Sequence, residues 1–451
     1  MGTSKTKNSC AAILLVLCFA SCADMSQTYK GLGKSTDAMP FIEEGVYGTL
    51  QNGLRYYILQ DKSQTGRVFA SMAVDVGSAD EKEQQLGFAN FTREIITEGN
   101  AEKSVTHIRT TLYNFNDTTY TDDNGVKKIS SILFTKINNI LDAPSFRGSK
   151  FISSRSTILA AIRNLSIKEK SELEKAKFIY GGSVLENRVN VLGTTDSIEN
   201  ARDIDVERFY KSWYRADNIA LIFIGDFDSQ AVKDELESKI KVPQVRRPFD
   251  RVVYELSAPK KNNIKSLEFK NDNLTGSSVS LYYKMKPHRF KNNLQGFRNT
   301  LNEQIILSLL KTNFAGEGLS FEHTKIGHTT QYFVVNFPLK SGSASAASVK
   351  VQENIKNMVK SGISDAFLLD MKQELIAHYE AETKKSLTRD RAYALFLRNY
   401  LYQESAASAQ WRLDAATILL PQITKAEINK TLKSYFATGD LHIFMAVKND
   451  L

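Results

Sequence analysis

Cysteine is scarce in this chain of 451 residues, and its three copies, Cys10, Cys18 and Cys22, all lie within the first 22 positions. The rest of the sequence therefore has no thiol for a disulfide or a metal–thiolate site, and packing of apolar side chains must hold the fold. Apolar runs of membrane-spanning length are also missing after residue 22, so no transmembrane helix is predicted there.

A concentrated basic region is missing as well. The chain has 59 Lys and Arg residues against 50 Asp and Glu, and the net charge of +9 is spread along its length. Short pairs such as "KK" and "RR" are typical of solvated faces, whereas a nucleic-acid site needs a clustered basic patch. We expect no nucleic-acid partner.

The first 21 residues have the pattern of an export signal. Lys5 and Lys7 precede the apolar run "CAAILLVLCFAS", which is too short to span a bilayer. The segment "FASC" resembles a bacterial lipobox, so Cys22 is the predicted lipidation site and residues 1–21 a lipoprotein signal peptide. The expected location is the bacterial cell envelope, with membrane contact through the lipid; a plain secretory signal or an uncleaved anchor is the alternative.

The remaining sequence divides into two similar halves. Residues 22–40 are polar and small and are predicted to be a tether, and residues 241–263, with three of the chain's eight prolines, a linker. The motif "KSYF" at 433 follows "KSWY" at 211 by 222 residues, and each is followed by an apolar strand. We therefore predict two homologous α+β domains, 41–240 and 264–451, each with a mainly antiparallel sheet and helices packed on one face.

Local patterns within the first domain predict its order of elements. Strands are expected in "NGLRYYIL" (52–59) and "GRVFASMAVDVGS" (66–78), which are rich in aromatic and branched residues. Helices are predicted at about 86–98, 103–114, 129–141 and 149–174.

Three segments carry a resemblance to a known family: "NGLRYYIL", "VDVGSADE" before "GFANF", and residues 192–228. Their order resembles one half of a pitrilysin/insulinase-family zinc metallopeptidase, as a half-length bacterial lipoprotein form. In active members the glycine leads into a helix with the inverted motif H-x-x-E-H, whose two histidines bind zinc while the glutamate activates water.

The residues at the family's catalytic positions are different here. The resemblance places Asn90 and Glu94 at the two histidine positions and Arg93 at that of the general base, and it places Ala161 at the third zinc ligand. Arginine stays protonated and repels a dication, and alanine has no donor atom. The resemblance therefore implies a degenerate site with no catalytic residue, no metal and no cofactor.

Peptide contacts are implied by the same resemblance. Family clefts use an arginine and a tyrosine from the partner half, but His323 and Thr330 stand at those positions in the segment around Gly327, so the family's own substrate clamp is missing and the two residues are only candidate peptide contacts. Arg93 is a third candidate, because a fixed guanidinium can hold a peptide carboxylate. A displaced metal site is less favoured: Glu374 and His378 lack a third ligand at helical spacing, and His323 and His328, beside Glu322, lie in a predicted turn before a strand.

Three functions follow from these observations. The first is a non-catalytic partner of a peptidase subunit with an intact H-x-x-E-H, for which this chain supplies cavity wall and peptide binding. The second is an autonomous envelope lipoprotein that binds peptides as a scaffold. The third, catalysis by a rearranged metal site, is disfavoured because the ligands and the base are replaced.

Overall fold

The computed structural model describes residues 28–29, 32–34, 36–42, 44–98, 104–142, 144–242, 249, 251, 256–285, 292–326 and 330–448. The predicted signal segment and Cys22 lie outside the described residues, as do Gly327, His328 and His288. Thr330 begins a described strand, but its side chain is outside the description.

The first large sheet has seven strands. An antiparallel pair of β1 (Thr28–Tyr29) and β2 (Gly33–Lys34) precedes it. The strand order of the seven-stranded sheet is β3-β4-β9-β5-β7-β6, and β8 pairs with β7 outside this order. The strands are β3 (Gly45–Thr49), β4 (Arg55–Gln60), β5 (Arg67–Val74), β6 (Val105–Thr106), β7 (Thr111–Thr121), β8 (Lys127–Ile129) and β9 (Ile219–Gly225).

Helices of the first half pack on one face of this sheet and bury a large apolar core against it. They are α1 (Phe88–Thr97), α2 (Ser131–Leu141), α3 (Ser149–Arg163), α4 (Ile167–Tyr180), α5 (Thr195–Glu199), α6 (Asp203–Trp213) and α7 (Ser229–Lys239).

The second sheet has the order β10-β14-β11-β13-β12. Its strands are β10 (Ile264–Lys270), β11 (Ser277–Met285), β12 (Ser320–Ile326), β13 (Thr330–Leu339) and β14 (Leu441–Val447). The helices of this half are α8 (Leu294–Asn313), α9 (Ala344–Ser361), α10 (Asp365–Thr383), α11 (Arg389–Tyr402), α12 (Ala409–Leu419) and α13 (Lys425–Phe436).

The two sheets share one plan. In each, the last strand of the half lies parallel to an early strand and antiparallel to the next: β9 between β4 and β5, and β14 between β10 and β11. Both last strands are buried along their whole length, as a central strand requires. The predicted α+β class with mainly antiparallel sheets is thus confirmed, and so is the helix–strand ending of each half.

One helix of each half also packs on the sheet of the other half, on the face opposite that sheet's own helices. The sequence did not predict this contact. Phe396 of α11 is fully buried and stacks on Tyr57 of β4 with ring centroids 5.4 Å apart, and the Tyr57 hydroxyl donates to Asn399 at 2.8 Å. In return, Ile179 of α4 packs on Tyr332 of the second sheet. The halves are therefore joined by two reciprocal apolar contacts.

Two predicted helices are wrong. The segment 103–114 forms β6 and the start of β7 in its described part, because its β-branched residues pair with β5, as Thr111 does with Val74. The single helix predicted at 149–174 is two helices, since Ser166 caps α4: its hydroxyl accepts from the Glu169 amide while the Glu169 carboxylate accepts from the Ser166 amide.

Candidate functional site

Helix α1, which carries the three substituted positions, is held at its N-terminus by Glu81. This carboxylate is fully buried and accepts from the amides of Gly87 at 2.7 Å and Ala89 at 2.8 Å. Burial raises the pKa of Glu81 well above its usual range, and the two amides act in the opposite direction. Glu81 thereby satisfies two of the donors that the start of a helix leaves open.

Gly87 explains why the chain can turn into α1 at this point. Its φ is +90°, in the left-handed region, and a Cβ at this position would lie 2.5 Å from the carbonyl oxygen of Leu192. Only glycine meets both demands. The start of α1 is consequently fixed by its own capping residue and by the loop that precedes α5.

The side chains of Asn90, Arg93 and Glu94 form one hydrogen-bonded cluster on α1. The Arg93 guanidinium donates to Asn90 Oδ1 from Nη2 at 3.0 Å and from Nε at 3.3 Å, and to Glu94 Oε2 from Nη2 at 2.9 Å. Its Nη1 donates to the Ser104 hydroxyl at 3.0 Å. Four of the five guanidinium N–H groups are therefore engaged within the protein.

Burial makes this cluster more than a surface ion pair. The side chains of Arg93 and Glu94 are 17% and 11% exposed, and Asn90 is buried. The hydroxyls of Tyr113 and Tyr214 lie 2.6 Å apart nearby, and burial raises the pKa of both. Both phenols consequently stay neutral beside the Arg93 charge.

Helix α3, the source of the third ligand in the family pattern, offers no substitute. It packs beside α1 through Phe151, whose ring stacks on Phe91 with centroids 4.9 Å apart. Its buried residues are Phe151, Ser154 and Ile158, and Ala161 is exposed. The whole helix contains no carboxylate, so a shift of the alignment by one or two residues changes nothing.

A zinc ion does not fit these residues. Zinc in proteins is bound by neutral imidazoles, thiolates and carboxylates, whereas here Asn90 supplies a neutral amide oxygen and Glu94 Oε2 accepts a hydrogen bond from Arg93. The guanidinium also puts a fixed positive charge beside any cation held by those oxygens. Within the described ranges, no group of three or more His, Cys, Asp or Glu side chains is arranged to hold a metal ion.

His323, the second peptide-binding candidate, lies in β12 and its side chain is 6% exposed. Its ring nitrogens lie 3.2 Å from Glu303 Oε1 and 3.2 Å from Gln331 Oε1. His323 is thus bonded to Glu303 and Gln331 of the second half, and it is far in sequence from the α1 cluster. A peptide contact by His323 or Thr330 remains a prediction.

Sequence reasoning missed three contributors to this site: Glu81, Ser104 and the Tyr113–Tyr214 pair. Glu81 could have been suspected, because it ends the family-like stretch "VDVGSADE" six residues before the helix glycine. The other two depend on tertiary contacts, since Tyr113 and Tyr214 are 101 positions apart.

Comparisons with known proteins agree with this architecture. A family model described as the Peptidase M16 inactive domain matches residues 204–375. The probable zinc protease PqqL of Haemophilus influenzae is 21% identical over 469 residues, which cover 96% of this chain and 48% of that protein.

Two solved structures share the fold. The first half of the periplasmic protease PqqL from Escherichia coli matches with a TM-score of 0.81 at 17% identity, over 92% of this chain and 94% of that one. A predicted insulinase family protease from Yersinia pestis matches with a TM-score of 0.69 at 14% identity, over 92% and 94% of the two chains. The half-clamshell fold is thereby confirmed.

The relation to PqqL is partial in length. This chain spans about half of the Haemophilus influenzae protein and 48% of the full Escherichia coli PqqL chain. Among the helices of the described residues, none combines the length and the apolar character needed to cross a membrane.

Proposed function

We propose that this chain, which belongs to the pitrilysin/insulinase family and is homologous to the zinc protease PqqL, is a non-catalytic member of that family. The observation that carries the proposal is the Arg93 cluster. A guanidinium cannot act as a general base, and here it is hydrogen-bonded to Asn90 Oδ1 and Glu94 Oε2 and sets a fixed positive charge beside them. The helix is retained in position, but the chemistry of the family is replaced.

We infer further that the chain works as one half of a two-chain clamshell. Its fold matches the first half of PqqL, and it corresponds to 48% of the complete PqqL chain. A second chain with an intact H-x-x-E-H would supply the zinc and the base. This chain would then contribute cavity wall and peptide contacts, among them the candidates Arg93, His323 and Thr330.

The proposed location is the cell envelope. PqqL from Escherichia coli is described as periplasmic, which supports an exported protein. Lipidation of Cys22 would attach the chain to a membrane. Metabolic labelling with an azide-bearing fatty acid tests the attachment, with Cys22→Ser as the variant that should lose the label and Cys18→Ser as its matched control.

The partner role is tested by co-expression with an H-x-x-E-H chain of the same organism. We expect the two chains to copurify, and we expect hydrolysis of a mixed peptide library to increase severalfold over the catalytic chain alone. A partner variant with its H-x-x-E-H glutamate changed to glutamine is the control and should remain inactive in the complex. A chain that stays monomeric and changes no peptidase's rate would overturn the proposal.

The isolated chain separates the other two functions. Hydrolysis of the library by this chain alone, together with stoichiometric zinc in elemental analysis, would establish a rearranged metal site. Tight peptide binding without any effect on a peptidase would identify an autonomous peptide-binding lipoprotein.

A further inference from the structure

A cavity of about 520 Å³ opens between helices α8, α10, α11 and α12 of the second half, away from the α1 cluster. This volume lies within the range of small-ligand sites. Aromatic and aliphatic groups form part of its wall, including Phe297, Leu307, Tyr379, Leu395 and Tyr402. The cavity therefore combines an apolar lining with the charged groups described next.

Most charged groups that line the cavity already have partners. Each of its three glutamates is bonded to a basic side chain that also lines it: Glu303 to His323, Glu382 to Arg391, and Glu404 to Arg398. The two arginine–glutamate pairs neutralise their own charges, and the Glu303 carboxylate is held by the His323 ring. Such pairs fit a structural role.

Arg412 is the exception. Its side chain makes no hydrogen bond or ion pair with any residue in the described part of the chain, and its Nε is sealed from solvent without a partner. Burial, followed by the nearby Arg391 charge, lowers the pKa of the Arg412 guanidinium. Tyr379 and Glu382, neither of which is bonded to Arg412, shift this pKa in the opposite direction. A desolvated cation with unused N–H donors is costly unless something anionic meets it.

The position of Arg412 along its helix strengthens this argument. It lies in the first turn of α12, which begins at Ala409 with Ser408 as its cap. The start of a helix carries a partial positive charge, so a cation there is unfavourable and an anion is favoured. The start of α12 and the guanidinium therefore both favour an anionic ligand.

We propose that this cavity binds the terminal carboxylate of a short peptide, with the Arg412 guanidinium as its partner. The inference rests on the proposed function, since it assumes that the chain handles peptides. A carboxylate matches the two parallel N–H groups of a guanidinium, and the apolar wall accommodates the side chain of the last residue. Phe297 and Tyr379 belong to this wall.

The test is titration of the full chain with an N-acetylated Ala-Ala-Phe peptide, as the free acid and as the carboxamide, by calorimetry. We expect the free acid to bind and the carboxamide to bind at least tenfold more weakly. Arg412→Gln should weaken the free acid by about 10- to 100-fold, because a charged pair is removed. Arg412→Lys should give an intermediate affinity, since it keeps the charge but loses the planar fork.

Trp411 locates the bound peptide. Its ring lies 5.6 Å from that of Phe297, so occupation of the cavity should change its fluorescence. Trp411→Phe should lose this signal while calorimetry still detects binding. Arg147→Gln, which changes an exposed arginine of the first half, is the matched control and should bind as the unmodified chain does.

Three results with the peptides would overturn the carboxylate site, and a fourth comes from inorganic phosphate. The three peptide results are equal affinity for acid and carboxamide, unchanged affinity in a folded Arg412→Gln chain, and no binding of either peptide. The first two results would still leave peptide binding by this chain in place. The partner role is tested separately, by whether co-expression stimulates the peptidase. Equal binding of inorganic phosphate and the free acid would reassign the cavity to anions in general and also contradict the proposal.

Discussion

Replacing Arg93 by methionine should destabilise the first half, because it leaves the Glu94 carboxylate largely buried without its cation. Removing one partner of a buried ion pair typically costs about 3–5 kcal/mol. Since the Arg93 and Glu94 side chains are 17% and 11% exposed, water recovers part of this, and we expect a loss of about 2–4 kcal/mol. Methionine keeps most of the side-chain length, so the change tests charge and hydrogen bonding rather than volume.

The assay is urea unfolding in a Trp411→Phe background, so that Trp213, buried in the core of the same half, reports the transition. Glu94→Gln and the double variant complete a cycle, and the double variant should be less destabilised than the sum of the two single changes by about 1–2 kcal/mol. Arg163→Met, at an exposed position of α3, is the control. A loss below about 0.5 kcal/mol, or strict additivity, would refute the view that Arg93 is held by its neighbours.

Three further outcomes are expected. Burial raises the pKa of Asp80 to about 6 despite its ion pair with Arg251, so between the two pKa values the folded state binds a proton that the unfolded state has released. Relative to Asp80→Asn, the unfolding free energy should therefore fall by about 2 kcal/mol between pH 4 and pH 7. Phe396→Ala should cost about 3–5 kcal/mol and split the single unfolding transition in two, because it removes the stacking on Tyr57. Metal analysis of the purified chain after dialysis against zinc should give well under one equivalent, whereas a stoichiometric value would contradict the fit argued from Arg93.

Much of the fold was predictable because its local and tertiary signals agree. Helix α1 lies close to its predicted limits, strand β5 begins as predicted but ends at Val74 instead of residue 78, and the half ends in a helix and an apolar strand as expected. The helix predicted at 103–114 was wrong because the segment's apolar spacing suits a helix while its β-branched residues suit a strand. Pairing with β5 favours the strand.

The candidate site was predictable only in its positions. Alignment with the family pattern identified Asn90, Arg93 and Glu94, and the structure brings all three together. Their partner Ser104 lies eleven positions beyond Arg93 on the far side of the helix end, so no periodicity connects them. Arg412 could not be predicted from the sequence. An arginine early in a helix is common, and its lack of a bonding partner is visible only once the partners of the neighbouring charged residues are known.

The cluster on α1 also explains why a partial return to the zinc site is unfavourable. Asn90→His alone would leave the Arg93 charge beside any metal, and Arg93→Glu alone would set two adjacent carboxylates at 93 and 94 in a largely buried position without a cation. Each single step loses the existing hydrogen bonds before a metal can replace them. Meanwhile the buried Glu81 cap and the left-handed Gly87, which hold α1 in place, act on the backbone and do not depend on zinc. These backbone contacts therefore hold helix α1 in place without any contribution from a metal ion.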